Sequence, residues 1–273
     1  MRRTLTGKNI LVTGGSKGIG LAMARELSRR GAKLALLARD PEALEAARAE
    51  LEAAGGTAVV RACDVTDVEA LGRAVSELAL ALGGLDGVIA NSGYCHPGYF
   101  HAISPGDAGR QIDTNFKGVV YTLHHAIPEL LKRGGGFIAI TSSPAGNAGI
   151  FGFSVYGATK AALNNLAETL RYEYADKNIS VHLLLPPDTQ TPGYDQEVLL
   201  YPPETRSVLQ GGKLFPPEQV AHRFVEAIER NRRQATIGFE THALLWMTRL
   251  APRLWDHYTA WKIRSARRKE TAQ

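Results

Sequence analysis

What most constrains the fold of this chain is an alternation. Short β-branched or apolar runs recur from the N-terminus, and each is followed by a longer amphipathic segment. A helix-length connection carries the chain back to the end of the sheet where it started, so successive strands run parallel. The runs are NILVT (Asn9 to Thr13), KLALLA (Lys33 to Ala38), TAVVRA (Thr57 to Ala62), GVIA (Gly87 to Ala90), GFIAIT (Gly136 to Thr141), SVHLLL (Ser180 to Leu185) and ATIGF (Ala235 to Phe239). Right-handed crossovers between them predict a single α/β, doubly wound fold with a parallel seven-stranded sheet and ligands at the carboxyl ends of the strands. Asp40 with Pro41, Asp67, and Ser104 with Pro105 read as helix starts.

Between the first strand and the first helix stands TGGSKGIG, Thr13 to Gly20. Backbone must turn sharply there, and glycine lets it approach a pyrophosphate at a helix N-terminus. Gly14, Ser16, Lys17, Gly18, Ile19 and Gly20 are the candidate dinucleotide contacts of this Rossmann-type loop. An acidic residue ending the second strand would bind a ribose 2′-hydroxyl, whereas a base would accept a 2′-phosphate. Arg39 stands there, Asp40 is better used as a helix cap, and Lys17 adds a second cation, so NADPH is expected over NADH.

Tyr156 and Lys160 are four apart in FSVYGATKAALNNLAETL and share one helix face. An ammonium beside a phenol favours phenolate, which predicts a lowered tyrosine pKa and a usable general acid. Ser143, thirteen residues earlier at the end of the fifth strand, is placed to hydrogen-bond a carbonyl oxygen that gains charge; Ser142 competes for that role. Asn115 is an amide inside a predicted crossover helix, where it is mildly unfavourable without a specific partner.

Together these segments resemble the short-chain dehydrogenase/reductases, over roughly residues 7 to 240: TGGSKGIG, NSG (Asn91 to Gly93), Asn115, Ser143 and YGATK occur in that family's order and spacing. The resemblance implies a catalytic tetrad of Asn115, Ser143, Tyr156 and Lys160. Tyr156 would donate the proton, Lys160 would bind the nicotinamide ribose, Ser143 would orient the carbonyl and Asn115 would hold a relay water. It also implies cofactor contacts at Asp64, Val65, Asn91, Ser92, Gly93, Pro186, Thr189 and Thr191. Ser92 replaces the usual alanine of NAG, and Pro187 stands where glycine is usual in the loop after the sixth strand. Pro-Pro-Asp-Thr at Pro186 to Thr189 and Glu-Thr-Arg at Glu204 to Arg206 point within the family toward NADPH-dependent reduction of the keto group of a long-chain sphingoid base. Another carbonyl substrate (a 3-oxoacyl thioester, steroid or xenobiotic ketone) or a non-catalytic NADP(H)-binding scaffold are the competing readings. The family's habit implies a homodimer or homotetramer.

Charge separates one further region. The chain carries a net +5, and TRLAPRLWDHYTAWKIRSARRKE alone has seven Lys and Arg against two acids, so the remainder is near neutral and no groove-sized basic surface for nucleic acid is expected. This stretch also holds Trp255 and Trp261, with Trp246 just before it, the composition of an interfacial helix on anionic lipid or of a segment packed on the body. The expected organisation is a nucleotide-binding domain over 1–240, with its substrate loop at 186–215, and a basic amphipathic helical tail over 241–273. The short apolar N-terminal stretch and the lack of any long apolar run predict a cytoplasmic protein, in peripheral contact with a membrane at most. Cys63 and Cys95 form no metal-binding spacing, and His96, His101, His124 and His125 lack an accompanying ligand set, so no metal is expected.

Overall fold

The computed structural model describes residues 2–270. Its seven strands are β1 (Asn9–Thr13), β2 (Lys33–Ala38), β3 (Thr57–Ala62), β4 (Gly87–Ala90), β5 (Gly136–Thr141), β6 (Ile179–Leu184) and β7 (Gln234–Ala235). All neighbours pair in parallel in the order β3-β2-β1-β4-β5-β6-β7. The order reverses between β1 and β4, which opens a crevice at their carboxyl ends.

Helices α1 (Gly18–Arg29), α2 (Pro41–Ala53) and α9 (Pro217–Glu229) cover one face, and α3 (Val68–Leu82), α5 (Gly118–Lys132) and α6 (Ser154–Glu173) the other. Alternate strand residues feed two separate cores: Ile10, Val12, Leu34 and Leu36 pack toward α1 and α9, whereas Leu11, Ala35 and Leu37 pack toward α3 and α5. Both faces are buried, which is why the strands read as unbroken apolar runs. The three helix starts behave as expected. Asp40 accepts from the Ala43 amide at 3.0 Å, Asp67 from Ala70 at 2.9 Å, and Ser104 opens α4 (Pro105–Ile112) by accepting from Asp107 at 3.0 Å.

The last strand departs from expectation. Pairing ends at Ala235; the Thr236 hydroxyl donates to the Leu185 carbonyl at 2.7 Å, and Gly238 turns at φ +92 into α10 (Phe239–Leu250). Phe239 therefore lies outside the sheet and is 84% exposed. The expected single tail is two helices, α10 and α11 (Pro252–Glu270), because Pro252 interrupts the run. Helix α11 crosses α8 (Pro203–Leu209), and the Arg267 guanidinium pairs with Glu204 at 2.9 Å. The tail is thus seated on the body beside the loop after β6, while Trp246 (69% exposed), Leu250, Leu254 and Trp261 (59% exposed) face outward. Residues 271–273 of the expected tail, and the side chains of Lys269 and Glu270, lie outside what is described.

Candidate active site

The loop leaving β1 needs glycine for two different reasons. Gly14 and Gly18 adopt φ +65 and +57, the left-handed region that side chains resist. Gly20 is required by proximity, since a Cβ there would lie 2.1 Å from the Gly14 carbonyl oxygen and 2.7 Å from Asn91 Nδ2. Ser16 is buried, and Ile19 packs against the core below. A bare loop opening the N-terminus of α1 is the cradle that a pyrophosphate needs, so these residues fit a dinucleotide.

Thr13 fixes the next wall. Its hydroxyl oxygen accepts from the backbone amides of Asn91 at 3.0 Å and Ser92 at 3.2 Å, which ties the end of β4 to the end of β1. At the outer edge Arg39 reaches within 4.0 Å of Asp64 and Lys17 bonds Asp40 at 2.7 Å. Both cations expected to read a 2′-phosphate stand at this corner, each already beside a carboxylate. Asp40 serves as cap and as counter-ion at once. Asp64 accepts from the Thr66 amide and hydroxyl, and Val65 is buried over Gly118.

Asn115 sits in a π-helical turn, Asp113–Lys117, rather than in a regular helix. Such a turn re-aims one side chain without ending the helix. The amide is fully buried and grips Tyr94 twice, accepting from its N–H at 2.9 Å and donating to its carbonyl at 2.8 Å. Gly93 lies directly above, where a Cβ would stand 3.0 Å from Asn115 Oδ1 and 3.5 Å from Lys160 Nζ.

The two competing serines differ in what each already bonds. Ser142 donates to Asn164 at 2.6 Å and to the Lys160 carbonyl at 3.0 Å, on the back of α6. Ser143 instead is in hydrogen-bond contact with Tyr156. Lys160 is buried and donates to the Thr141 carbonyl at 3.0 Å, with its ammonium 5.6 Å from the Tyr156 ring centre. Burial holds Lys160 down to about 8. The expected lowering of the Tyr156 pKa is not what this pocket produces. Burial drives the phenol well above its ordinary value, the Cys95 and Glu197 charges add to the rise, and the Ser143 bond opposes it. Desolvation outweighs a cation whose protons are turned toward Thr141.

The loop after β6 closes the site. Thr189 is buried and donates to the Pro187 carbonyl at 2.6 Å, and Gln190 and Phe215 exchange backbone bonds with this segment. Thr191 caps α7 (Pro192–Leu199) by accepting from Tyr194 at 3.1 Å, and its methyl group is 3.3 Å from where a Gly18 Cβ would be. The two prolines therefore stiffen a strap that runs from β6 to the glycine loop.

Sequence reasoning missed a group on the other side of Tyr156. Tyr201 donates to Glu197 at 2.7 Å, and burial, reinforced by Asp188, lifts Glu197 to about 7. Burial also pushes Asp188 and Cys95 up. The Glu197–Tyr201 spacing of four within a polar loop was the available signal. The histidines are scattered: His125 bonds the Val68 carbonyl, His124 packs edge-on against His125, and His101 stacks on Tyr99. Among the described residues no cluster of three His, Cys, Asp or Glu could hold a metal.

Comparison with known proteins agrees with this geometry. The family model described as short chain dehydrogenase matches residues 8–198. The chain is 32% identical over 249 residues to the 3-ketodihydrosphingosine reductase of Bos taurus, covering 89% of this chain and 75% of that protein. A 3-dehydrosphinganine reductase of Arabidopsis thaliana is 34% identical over 236 residues, covering 85% of this chain and 70% of the relative. A short chain dehydrogenase from Burkholderia cenocepacia, solved in complex with NADP, superposes with a TM-score of 0.76 at 28% identity over 88% of this chain and 100% of its own. With glycine cradle, parallel sheet and Tyr-Lys helix in their places and a family model spanning well over half its length, this chain belongs to the short-chain dehydrogenases.

Proposed function

We propose that this oxidoreductase uses NADPH to reduce the ketone of 3-ketodihydrosphingosine, or of a long-chain keto lipid like it, to a secondary alcohol. The observation that carries the reading is the pairing of a Ser143, Tyr156 and Lys160 constellation with relatives named for that reaction over most of the chain. A bound NADPH would supply the hydride for the carbonyl carbon. Tyr156 gives its proton to the carbonyl oxygen as that oxygen gains charge, and the Ser143 hydroxyl donates a second hydrogen bond to it. A phenol whose pKa is raised is well kept as a proton donor at neutral pH. Lys160 holds positive charge below Tyr156, and Asn115 fixes the Tyr94 backbone that forms the facing wall. Gly14, Gly18 and Gly20 would admit the pyrophosphate, and Arg39 and Lys17 would hold the 2′-phosphate. Asp64, Val65, Asn91, Ser92, Gly93, Pro186, Thr189 and Thr191 complete the proposed cofactor contacts.

The nucleotide-binding unit is taken as 1–240, and the tail from 241 as a peripheral contact to anionic lipid. Its outward Trp246, Leu250, Leu254 and Trp261 beside arginines support this. No helix among the described residues is long and apolar enough to cross a membrane. The test follows NADPH absorbance with 3-ketodihydrosphingosine in mixed micelles, beside short ketones. Turnover of the long-chain base, lost by about 100-fold or more in Tyr156→Phe, is the expected result. Activity confined to short ketones would remove the lipid assignment.

A further inference from the structure

Glu197 takes no part in the proton transfer or the cofactor cradle, yet it is built into the same pocket. Its carboxylate accepts from Tyr201 at 2.7 Å and is hydrogen-bonded to the Cys95 thiol. Cys95 follows Tyr94, the residue whose backbone Asn115 grips. On the other side the Tyr201 ring meets Phe153 edge-on at 5.7 Å, and Phe153 meets Tyr156 at 5.8 Å. One aromatic ring thus separates the proton donor from the ring that holds Glu197.

The side chains that shift Glu197 are neutral or negative: Tyr201, Cys95 and Asp188. Burial raises Asp188 as well. A half-buried carboxylate oriented by neutral donors, with a second carboxylate nearby and no ion pair among the described residues, is an unfavourable arrangement that a cation would relieve. The substrate proposed above carries one, on the carbon next to its ketone. We propose that Glu197 is the specificity residue for this reaction, binding the substrate's ammonium group so that the site selects 2-amino ketones over ketones without the amine. The inference rests on the long-chain reductase reading and goes beyond it.

Three substrates test it on the intact protein with NADPH: 3-ketodihydrosphingosine, its N-acetyl derivative, and the long-chain 1-hydroxy-3-ketone that lacks the amine. The expected result is a kcat/KM ratio of amine to amine-free substrate of about 30 or more in the natural enzyme. In Glu197→Gln that ratio collapses toward one, mainly through KM, and Glu197→Asp restores part of it. The comparison among substrates on the natural enzyme needs no variant, so a folding defect in Glu197→Gln leaves it decisive. Equal turnover of all three lipids, or an unchanged ratio in Glu197→Gln, would overturn the role of Glu197 and leave long-chain ketone reduction standing. No turnover of any long-chain ketone, with short ketones reduced, would overturn the lipid reading and this inference with it.

Discussion

At the scale of single residues, burial is the force that sets the chemistry. It lifts Tyr156, Glu197 and Cys95, and lowers Lys160 and His182, each time penalising the charged form. His182 makes the sign measurable. Its ring is buried between Ser180 at 2.9 Å and the Arg232 carbonyl at 2.7 Å, with Arg3 and Arg171 facing it, and its pKa falls from 6.5 to about 4. The unfolded chain therefore takes up this proton at a higher pH than the folded one. The contribution of neutral His182 to stability is complete above pH 6.5 and is lost as the pH falls toward about 4. Thermal melts across that window should drop more steeply for the natural protein than for His182→Gln; parallel slopes would refute this. Arg39 gives a second residue-scale prediction. Arg39→Ala should raise the KM for NADPH by about 10-fold or more and leave that for NADH little changed, since one charge-assisted phosphate contact is lost. A uniform rise for both cofactors would place Arg39 outside the 2′-phosphate site.

At the scale of elements, Glu204 and Thr205 together join four segments. It is 2% exposed, accepts from Tyr99 at 2.8 Å in the β4–α4 loop, and pairs with Arg267 on α11. Its neighbour Thr205 donates to the Phe151 carbonyl at 2.8 Å in the β5–α6 loop. The Glu-Thr-Arg segment, legible in the sequence only as a resemblance, thus binds α8 to two site loops and to the tail. Removing the charge of a buried acceptor whose ionic partner is largely exposed costs about 1–2 kcal/mol. Glu204→Gln should lower the melting temperature by several degrees, and Arg267→Ala, at the exposed end of the pair, should shift it less. Both should raise KM for a long lipid more than for a short ketone if the loops they join line the proposed lipid site. Equal effects on the two substrates would make the network purely structural.

At the scale of the whole molecule, one sheet edge organises the site and one end of the chain remains exposed. Helices α10 and α11 present Trp246, Leu250, Leu254 and Trp261 outward beside basic residues. The protein should co-sediment with vesicles rich in anionic lipid, weakly with neutral ones, and release as salt rises. Binding indifferent to lipid charge would contradict this. Much of this architecture is carried by local rules. Apolar runs bounded by capped helices determine parallel strands, and TGGSKGIG and YGATK determine which loop and which helix carry chemistry, because both depend on neighbours within a few residues. The end of β7 was misread because Ile237 and Phe239 have strand propensity, whereas the exit turn is set by Thr236 bonding Leu185 and by Gly238. Three things were decided only by tertiary structure: which of Ser142 and Ser143 faces Tyr156, the upward direction of the Tyr156 pKa, and the meeting of Cys95, Glu197 and Tyr201. Each turns on burial and on partners brought from distant segments, and neither quantity is present in a linear pattern of residues.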